Sequence, residues 1–501
     1  MTVVARWFVL LTWGTLGIVT AIIAFTATAG LTGSIAGSAV VGVCFGAAVV
    51  AGRVWNTDTS ASFADVPRSI QRLFAVGAPL LIGQLLFATA FIIDPSFTKW
   101  DASPWRPMRS PHSCASAYWV ACGQIHTAPD IYADTLYSFP QADPNARRTP
   151  RPIGPLEIDP YEYPPSFLLL PRVITAVASD FWSFRRVWFA LTLAVTVIGL
   201  IVVARRFDRA LGTSSLWLTP FVLLPPAMII TTILGNVQLA IIAASMLAMV
   251  LFERGRHAAG GALLAYAIVS KLYPGLLVFY LLLRRDWRAV GWTAAISIVI
   301  VAVTMVDFGV GPYLTFVSHL PELLGGEAFA AFRNPNGIAI NESIPGLAFK
   351  LQLFGVPNMG FTASKILGWI YTVIVLVLVV RLARRPVADG REPLVWLVII
   401  ILATMRSPFL PTYAPFPSLW LATLLAALTW GRSRLFTMSV VLWCVLTFTL
   451  GTGGAPPVVN AIWTFMHTIA AFVLVAMAMR VAAAPVPGPS TRRSVGAPAP
   501  A

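Results

Sequence analysis

Apolar segments recur along the whole chain, and they constrain its fold more than any other feature. A segment in lipid must satisfy its own backbone hydrogen bonds, so each one is predicted to be a helix. The sequence therefore predicts an all-α polytopic membrane protein with about 12–14 transmembrane helices. The segments lie near residues 7–29, 35–51, 73–94, 184–204, 216–234, 236–252, 258–270, 272–283, 289–308, 365–380, 393–405, 413–430, 435–451 and 458–479.

The composition agrees with this membrane interpretation. The chain is 57% hydrophobic and only 11% charged, whereas soluble domains carry roughly a quarter charged residues. Its net charge is +15, and its 35 Lys and Arg residues fall largely in short loops between apolar segments. The positive-inside rule predicts that placement for cytoplasmic loops. The basic excess therefore indicates membrane topology, and we expect no nucleic-acid partner.

The basic clusters fall on one side of the membrane if the N-terminus is cytoplasmic. They are Arg53, Arg68 and Arg72; Arg205, Arg206 and Arg209; Arg254 and Arg256; Arg284, Arg285 and Arg288; Arg381, Arg384 and Arg385; Arg432 and Arg434. This topology places two long polar stretches, 96–183 and 309–364, outside the cytoplasm. We expect one multi-pass domain over 1–480 in the plasma membrane, with its active site on the extracytoplasmic side. Residues 481–501 are predicted to form a disordered cytoplasmic tail.

Some apolar segments are too short or too interrupted for a simple crossing. Segment 164–178 contains three prolines and is predicted to be a short helix at the outer leaflet. Segments 258–270 and 272–283 are also short, and they meet at Lys271. Irregular backbone at membrane depth must face protein or water, so this break is predicted to line an internal site.

The first polar stretch holds two carboxylates four residues apart, Asp130 and Asp134, with Tyr132 between them. Either carboxylate can take a proton from an attacking hydroxyl, and both can equally be ordinary solvated loop acids. Tyr163, later in the stretch, can stack on a sugar or anchor the chain at the membrane boundary, and the residues alone favour anchoring.

Four cysteines divide between two settings. Cys44 and Cys444 lie in apolar segments and are predicted to be packing residues. Cys114 and Cys122 lie in the first polar stretch, where a disulfide can form if the stretch is extracytoplasmic. Chance proximity in the sequence is the alternative for this pair.

Two cations lie where their charge calls for a partner. Lys271 lies within hydrophobic sequence, where an ammonium is costly unless paired, and a phosphate is a natural partner for it. Snorkelling to the outer interface is the alternative. Arg406 ends an apolar segment on the predicted outer side, against the positive-inside bias. Lys271 predicts a phospholipid-linked donor. Arg406 is predicted to be a second anion contact, and an ordinary arginine at a helix end is the alternative.

Further polar residues are predicted to bind substrate. Asn236 and Gln238 lie at the predicted outer end of two apolar segments, where they form either a tight turn or a site for sugar hydroxyls. The second polar stretch adds a compact cluster and an upstream histidine: Asn341, Glu342 and Ser343, with His319.

Six short motifs, taken in their order along the chain, resemble those of the polyprenyl-phosphate-mannose-dependent α-mannosyltransferases. These enzymes are membrane glycosyltransferases of the C superfold. The resemblance covers roughly residues 75–430. It implies a multi-span enzyme that takes a sugar from a polyprenyl monophosphate carrier, with Asp130 as catalytic base and without a metal. The motifs are Asp130-x-Tyr132, Tyr163-Pro164-Pro165, Gly235-Asn236-x-Gln238, Lys271-Leu272-Tyr273-Pro274, Asn341-Glu342-Ser343 and Ser407-Pro408.

The chain departs from the family's pattern in three places. Asn236-x-Gln238 reverses the usual order, and Glu342 stands where Gln is common. The polar stretch before Asp130 is also longer than the family's pattern implies. These departures concern the acceptor more than the type of reaction.

The residues and the resemblance together predict an inverting transfer of a sugar, mannose by resemblance, from a polyprenyl-phosphate carrier to a hydroxyl of an extracytoplasmic glycolipid or glycan. Asp130 would be the base, while Lys271 and Arg406 would stabilise charge on the leaving phosphate. The donor's tail would lie between helices, in contact with membrane lipids. No cofactor is expected, because the sequence shows no clustered set of His, Asp and Glu ligands.

Two alternatives remain. An arabinosyltransferase that uses a polyprenyl-phosphate pentose would share this layout. A lipid or sugar transporter would also explain a buried Lys271 and broken helices, although no internal repeat relates the two halves of the sequence.

Overall fold

The computed structural model describes residues 3–54, 66–94, 112–140, 148–207, 209–411, 413–431, 433–448 and 455–483. Helices dominate these ranges, which confirms the predicted all-α polytopic membrane fold. The predicted tail begins inside the last helix, which ends at Ala483. The rest of the tail lies outside the described residues.

The first part of the chain, through the first polar stretch, forms α1 Val3–Thr32, α2 Ile35–Val54, α3 Arg68–Ile93, β1 His112–Ser113, α4 Cys114–Gln124, β2 Pro152–Ile153, β3 Leu156–Ile158 and α5 Leu169–Thr175. The middle forms α6 Phe181–Ala204, α7 Arg209–Leu218, α8 Pro220–Leu223, α9 Pro226–Leu234, α10 Gln238–Glu253, α11 His257–Ser270, α12 Gly275–Leu283 and α13 Trp287–Phe308. The remainder forms α14 Gly311–Gly325, α15 Pro335–Ala339, α16 Leu347–Leu353, α17 Phe361–Arg384, α18 Glu392–Thr404, α19 Phe416–Leu428, α20 Ser433–Thr447 and α21 Pro457–Ala483. Short 3-10 helices occupy Asp134–Leu136, Pro165–Leu168 and Ala330–Arg333.

Within the described ranges, six helices are long and apolar enough to cross a membrane: Leu10–Thr32, Arg68–Ile93, Phe181–Ala204, Trp287–Phe308, Phe361–Arg384 and Pro457–Ala483. A pair bent by 72°, Leu211–Leu223 with Pro226–Leu234, adds one more if it forms a single span. The count of long helices is thus below the predicted 12–14. The reason is that proline and glycine divide several apolar segments into helices of 10–17 residues.

Short helices form the centre of the bundle. Nearly every side chain of α18 and α19 is buried, as are most of those of α10. Their Leu, Ile, Val and Ala residues lie on all sides, which is the pattern of a fully enclosed helix. By contrast, α13 leaves Ile298 and Val306 exposed, and α17 does the same with Ile370 and Val373. The apolar outer faces are those expected of helices that contact lipid.

The first polar stretch folds into a small α/β layer at one end of the bundle. Strand β3 lies between the other two, parallel to β1 and antiparallel to β2. His112 is the register partner of Glu157 across the parallel pair. The predicted short helix at 164–178 is present as a 3-10 turn followed by α5.

A buried arginine ties this end of the bundle together. Arg185, near the start of α6, donates to the carbonyl oxygens of Phe91, Ile92 and Ile233, which lie at the C-terminal ends of α3 and α9. A guanidinium suits such ends because the last carbonyls of a helix lack intrahelical partners. Helix α9 then ends at Gly235, whose φ of +72° is the left-handed conformation that favours glycine. This turn fixes the position of Asn236 and Gln238, which follow it along the chain.

Candidate functional site

A cavity of about 480 Å³ lies where the break between α11 and α12 meets α14, α17 and the segment that joins α18 to α19. Polar and charged side chains occupy part of its wall: Glu162, Gln238, Lys271, Ser407 and Arg406. Leucine and aromatic side chains line the rest, among them Leu320, Leu323, Phe316 and Trp369. An apolar chamber with a few convergent polar groups is the usual form of a small-molecule site.

The break between α11 and α12 brings Lys271 to this cavity. Helix α11 ends at Ser270, and Pro274 precedes the first residue of α12, so the intervening backbone is extended at Lys271. The ammonium lies over the rings of Tyr163, at 5.2 Å, and Tyr413, at 5.5 Å. Among the described residues it has ring partners and no carboxylate partner, so an anion in the cavity would be its natural counter-charge.

Arg406 supplies a second cation to the cavity wall. It follows the end of α18, donates from Nε to Thr372 Oγ1 at 2.6 Å, and lies 5.8 Å from the ring centre of Trp369. These contacts orient the guanidinium from helix α17. Gly368 leaves room for it, since an added Cβ there would lie 3.1 Å from the guanidinium carbon. Both predicted cations therefore line one cavity.

Glu162 is a cavity residue that the sequence did not single out. Burial, and to a smaller extent the charge of Asp159, raise the pKa of its carboxyl to about 8, while Arg148 and Lys271 oppose the shift. The carboxyl is therefore largely protonated at neutral pH and can donate a hydrogen bond. Its position next to Tyr163, which the sequence did mark, was the available signal.

Asp130 joins the two polar stretches. Its Oδ1 accepts from the backbone N–H of Tyr132 at 2.8 Å, and its Oδ2 lies 3.2 Å from His319 Nε2. His319 lies on α14, next to Leu320 and one turn from Phe316, and both of these line the cavity. The carboxylate is about a third exposed, at 31%. Asp130 thus lies beside the cavity, held by its own turn and by the wall helix.

Asp134 is placed differently. Its Oδ1 accepts from Arg148 Nε at 2.6 Å and from Ser138 Oγ at 2.9 Å. The carboxylate thus closes a local loop and contacts no residue of the cavity wall. Of the two acids that the sequence left as alternatives, Asp130 is the one that contacts a helix of the cavity wall, α14, through His319.

Aromatic rings connect Asp130 to Lys271. The Tyr132 hydroxyl donates to the Tyr163 carbonyl oxygen at 2.9 Å, and the Tyr132 ring lies 5.5 Å from that of His319. Tyr163 in turn lies under the Lys271 ammonium and lines the cavity. Of the predicted substrate residues, Tyr163 therefore lines the cavity, and Tyr132 supports it from behind through a hydrogen bond.

Asn236 stabilises a turn, whereas Gln238 lines the cavity. The Asn236 side chain is buried, accepts from the Gln238 backbone N–H at 3.0 Å, and donates to Cys114 Sγ at 3.5 Å. Gln238 lines the cavity. The turn interpretation therefore describes Asn236, whereas Gln238 is free to contact a ligand.

The Asn341-Glu342-Ser343 cluster lies behind the cavity wall. The Asn341 amide donates to the Pro408 carbonyl oxygen and accepts from Leu410 N–H, and the Ser343 hydroxyl also donates to Pro408. The Glu342 carboxylate lies 2.9 Å from His467 Nδ1, and both side chains are buried. Through these hydrogen bonds Asn341 and Ser343 brace the segment that follows Arg406. The contact of the three residues with substrate stays a prediction.

Of the two alternatives left open for Cys114 and Cys122, the disulfide does not form, and both thiols are free. They lie in the same helix, α4, two turns apart, which is too far for a bridge. Cys122 packs against the Leu168 carbonyl, whereas Cys114 faces Asn236.

The folded chain brings together three potential metal ligands that are not clustered in the sequence. His112, Cys114 and Asp159 come together, with one ligand atom from each within 4.8 Å of the others. The cluster forms no local pattern in the sequence, because Asp159 is distant from His112 and Cys114 along the chain.

We expect Asn341→Ala to lower the free energy of unfolding by about 1–3 kcal/mol. The reason is that the backbone N–H groups of Ser343 and Leu410 lose their acceptor, Asn341 Oδ1. Thermal unfolding of the purified protein in detergent measures the change. Asn336→Ala, at an exposed position of the same polar stretch, is the matched control. Equal stability of the two variants would contradict the bracing role.

The raised pKa of Glu162 makes a prediction about pH. The protonated carboxyl contributes stability that is complete below its ordinary pKa of 4.5 and is lost as the pH rises through about 8. Glu162→Gln, which stays neutral, should therefore gain melting temperature over wild type between pH 5 and pH 8, by a few degrees. Glu157→Gln is the control for loss of a carboxylate in the same layer. Parallel pH profiles of Glu162→Gln and wild type would refute the buried neutral carboxyl.

The comparison with known protein families identifies a glycosyltransferase family. The profile of glycosyltransferase family 87 matches residues 161–408. That range includes Lys271, His319 and Arg406, and it begins after Asp130. No curated protein and no solved structure matches the chain. The family match, together with the apolar helices, indicates a multi-pass membrane glycosyltransferase.

Proposed function

We propose that this glycosyltransferase moves mannose from a polyprenyl-phosphate carrier to a hydroxyl of a glycolipid or glycan outside the cytoplasm, with inversion. The observation that carries the proposal is one cavity lined by two cations, Lys271 and Arg406, with the Asp130–His319 pair beside it. A phosphate-linked sugar needs both an anion site and a base at its reacting carbon. This cavity offers the two together.

The carrier phosphate binds between Lys271 and Arg406. In the donor it bears one negative charge, and it gains a second as the bond to the sugar breaks. Both cations lie where that second charge develops, so they stabilise the transition state more than the bound donor. The leucine-lined part of the cavity, at Leu320, Leu323 and Leu324, accommodates the first units of the lipid tail.

Asp130 is the catalytic base. Its carboxylate takes the proton of the acceptor hydroxyl as the oxygen attacks the anomeric carbon, and the carrier phosphate leaves from the opposite face. One C–O bond forms, one breaks, and the proton remains on Asp130. The Asx turn at Tyr132 and the contact with His319 hold the carboxylate in position. Inversion follows because a single displacement has no covalent intermediate.

The remaining predicted residues bind or position. Tyr163 and Gln238 line the cavity and contact the sugar. Tyr132 and Asn236 orient those two through hydrogen bonds. Asn341 and its neighbours brace the Arg406 segment from behind. The acceptor enters from the side of the first polar stretch, where Asp130 is partly exposed.

Asp130→Asn tests the base. The amide cannot accept the proton, so we expect transfer of labelled mannose from the carrier to fall about 10²–10⁴-fold. Asp134→Asn is the matched control and should retain transfer within a few-fold of wild type, since Asp134 closes a local loop. Full activity of Asp130→Asn at wild-type expression would remove the central claim. Labelled pentose carrier in a parallel reaction distinguishes the sugars, and transfer from the pentose carrier alone would refute mannose.

Lys271→Ala tests the phosphate site. Removing a cation at the developing charge should lower kcat/KM for the donor about 10²–10³-fold. Lys365→Ala removes an exposed lysine that pairs with Glu327 and is the matched control. Donor kinetics with purified protein in detergent measure both. A Lys271→Ala variant with unchanged donor kinetics would show that the phosphate binds elsewhere.

A further inference from the structure

We propose that His112, Cys114 and Asp159 form a zinc-binding site on the small α/β layer, separate from the sugar-transfer chemistry. The three side chains offer an imidazole nitrogen, a sulfur and a carboxylate oxygen. These are the three ligand types that zinc binds in proteins. Three protein ligands leave a fourth position for water.

The fold brings the ligands close enough for one ion. His112 Nδ1 lies 2.9 Å from Asp159 Oδ2, and Cys114 Sγ lies within 4.8 Å of both. A tetrahedral zinc with bonds of 2.0–2.3 Å holds its ligand atoms about 3.4–3.6 Å apart. Small side-chain rotations therefore convert the present arrangement into a coordination shell.

Regular structure fixes the backbone behind each ligand. His112 lies on β1, Cys114 is the first residue of α4, and Asp159 follows β3. The parallel pairing of β1 with β3 holds His112 beside the Asp159 strand. Zinc sites need such a preformed scaffold, because ligand positions must be accurate to a few tenths of an ångström.

Outer hydrogen bonds orient two of the ligands. The Asn236 amide donates to Cys114 Sγ at 3.5 Å, which suits a thiolate, and the Asp159 backbone N–H donates to Ser116 Oγ at 3.1 Å. Partners of this kind are common around zinc ligands and tune their affinity. The His112 and Asp159 side chains are 40% and 23% exposed, so an ion can reach the cluster.

The ligand set selects against other common ions. Calcium and magnesium prefer oxygen ligands and do not favour a thiol, whereas zinc accepts sulfur, nitrogen and oxygen together. Zinc bound by one thiolate and one carboxylate is charge-neutral, and the thiol proton passes to solvent. A bound zinc therefore adds no net charge to the small α/β layer.

The site has a structural consequence for the cavity. Cys114 contacts Asn236, and Asn236 shapes the turn that presents Gln238 to the cavity. Zinc would thus lock the first polar stretch onto the turn between α9 and α10. The alternative is a metal-free ion pair of His112 and Asp159 with a neutral thiol nearby.

Metal analysis decides between the zinc site and the metal-free ion pair. The full chain is purified in detergent without a histidine tag and loaded with zinc chloride. We expect about one zinc per chain in wild type and in Cys122→Ser, and less than about a fifth of that in Cys114→Ser and Asp159→Asn. Cys122 lies in the same helix outside the cluster, so its variant controls for loss of a thiol. Wild type without stoichiometric zinc, or Cys114→Ser with as much zinc as wild type, would overturn the proposal.

Cobalt provides a readout that does not depend on how well the variants fold. Wild-type protein loaded with cobalt should show thiolate-to-cobalt charge-transfer absorption, because Cys114 is a ligand. Cys122→Ser should keep that absorption. Its absence from folded wild-type protein would exclude a thiolate ligand and so contradict the proposal, whatever the transfer activity.

Discussion

The arrangement of this protein depends on a cation at a helix break. A lysine between two apolar helices requires an anion, a ring or water, and irregular backbone at membrane depth must face the protein interior. Both requirements are met by one cavity at Lys271, with Tyr163 and Tyr413 under the ammonium. The fully buried helices α18 and α19 form the centre against which this break is held. The cavity therefore lies where the helix bundle accommodates the Lys271 ammonium, which is energetically costly to bury.

The second cation depends on support from a distant part of the chain. Arg406 follows helix α18 in a segment without regular structure, and such a segment needs hydrogen bonds from elsewhere. Asn341 and Ser343 supply them through Pro408 and Leu410, while Glu342 is anchored on the last helix through His467. The polar cluster thus acts through the geometry of Arg406.

The sequence predicted those features that depend on local pattern. Apolar periodic segments predicted the helices, and the positions of Lys271 and Arg406 within apolar sequence marked them as unusual. The contact of Asp130 with His319 joins residues 189 positions apart, and no local pattern contains it. The same holds for the cluster of His112 with Asp159, and for Glu162, whose pKa depends on its enclosure. The bracing role of Asn341 was missed because a buried amide and a ligand-binding amide look alike in a sequence.

The central claim is that the carrier phosphate lies between Lys271 and Arg406 with the sugar directed at Asp130. A structure of the purified chain with a non-transferable polyprenyl-phosphate mannose tests it most directly. The account predicts phosphate oxygens about 3 Å from the Lys271 ammonium and the Arg406 guanidinium, with the anomeric carbon on the Asp130 side. A phosphate bound away from both cations, or a sugar that faces away from Asp130, would contradict it.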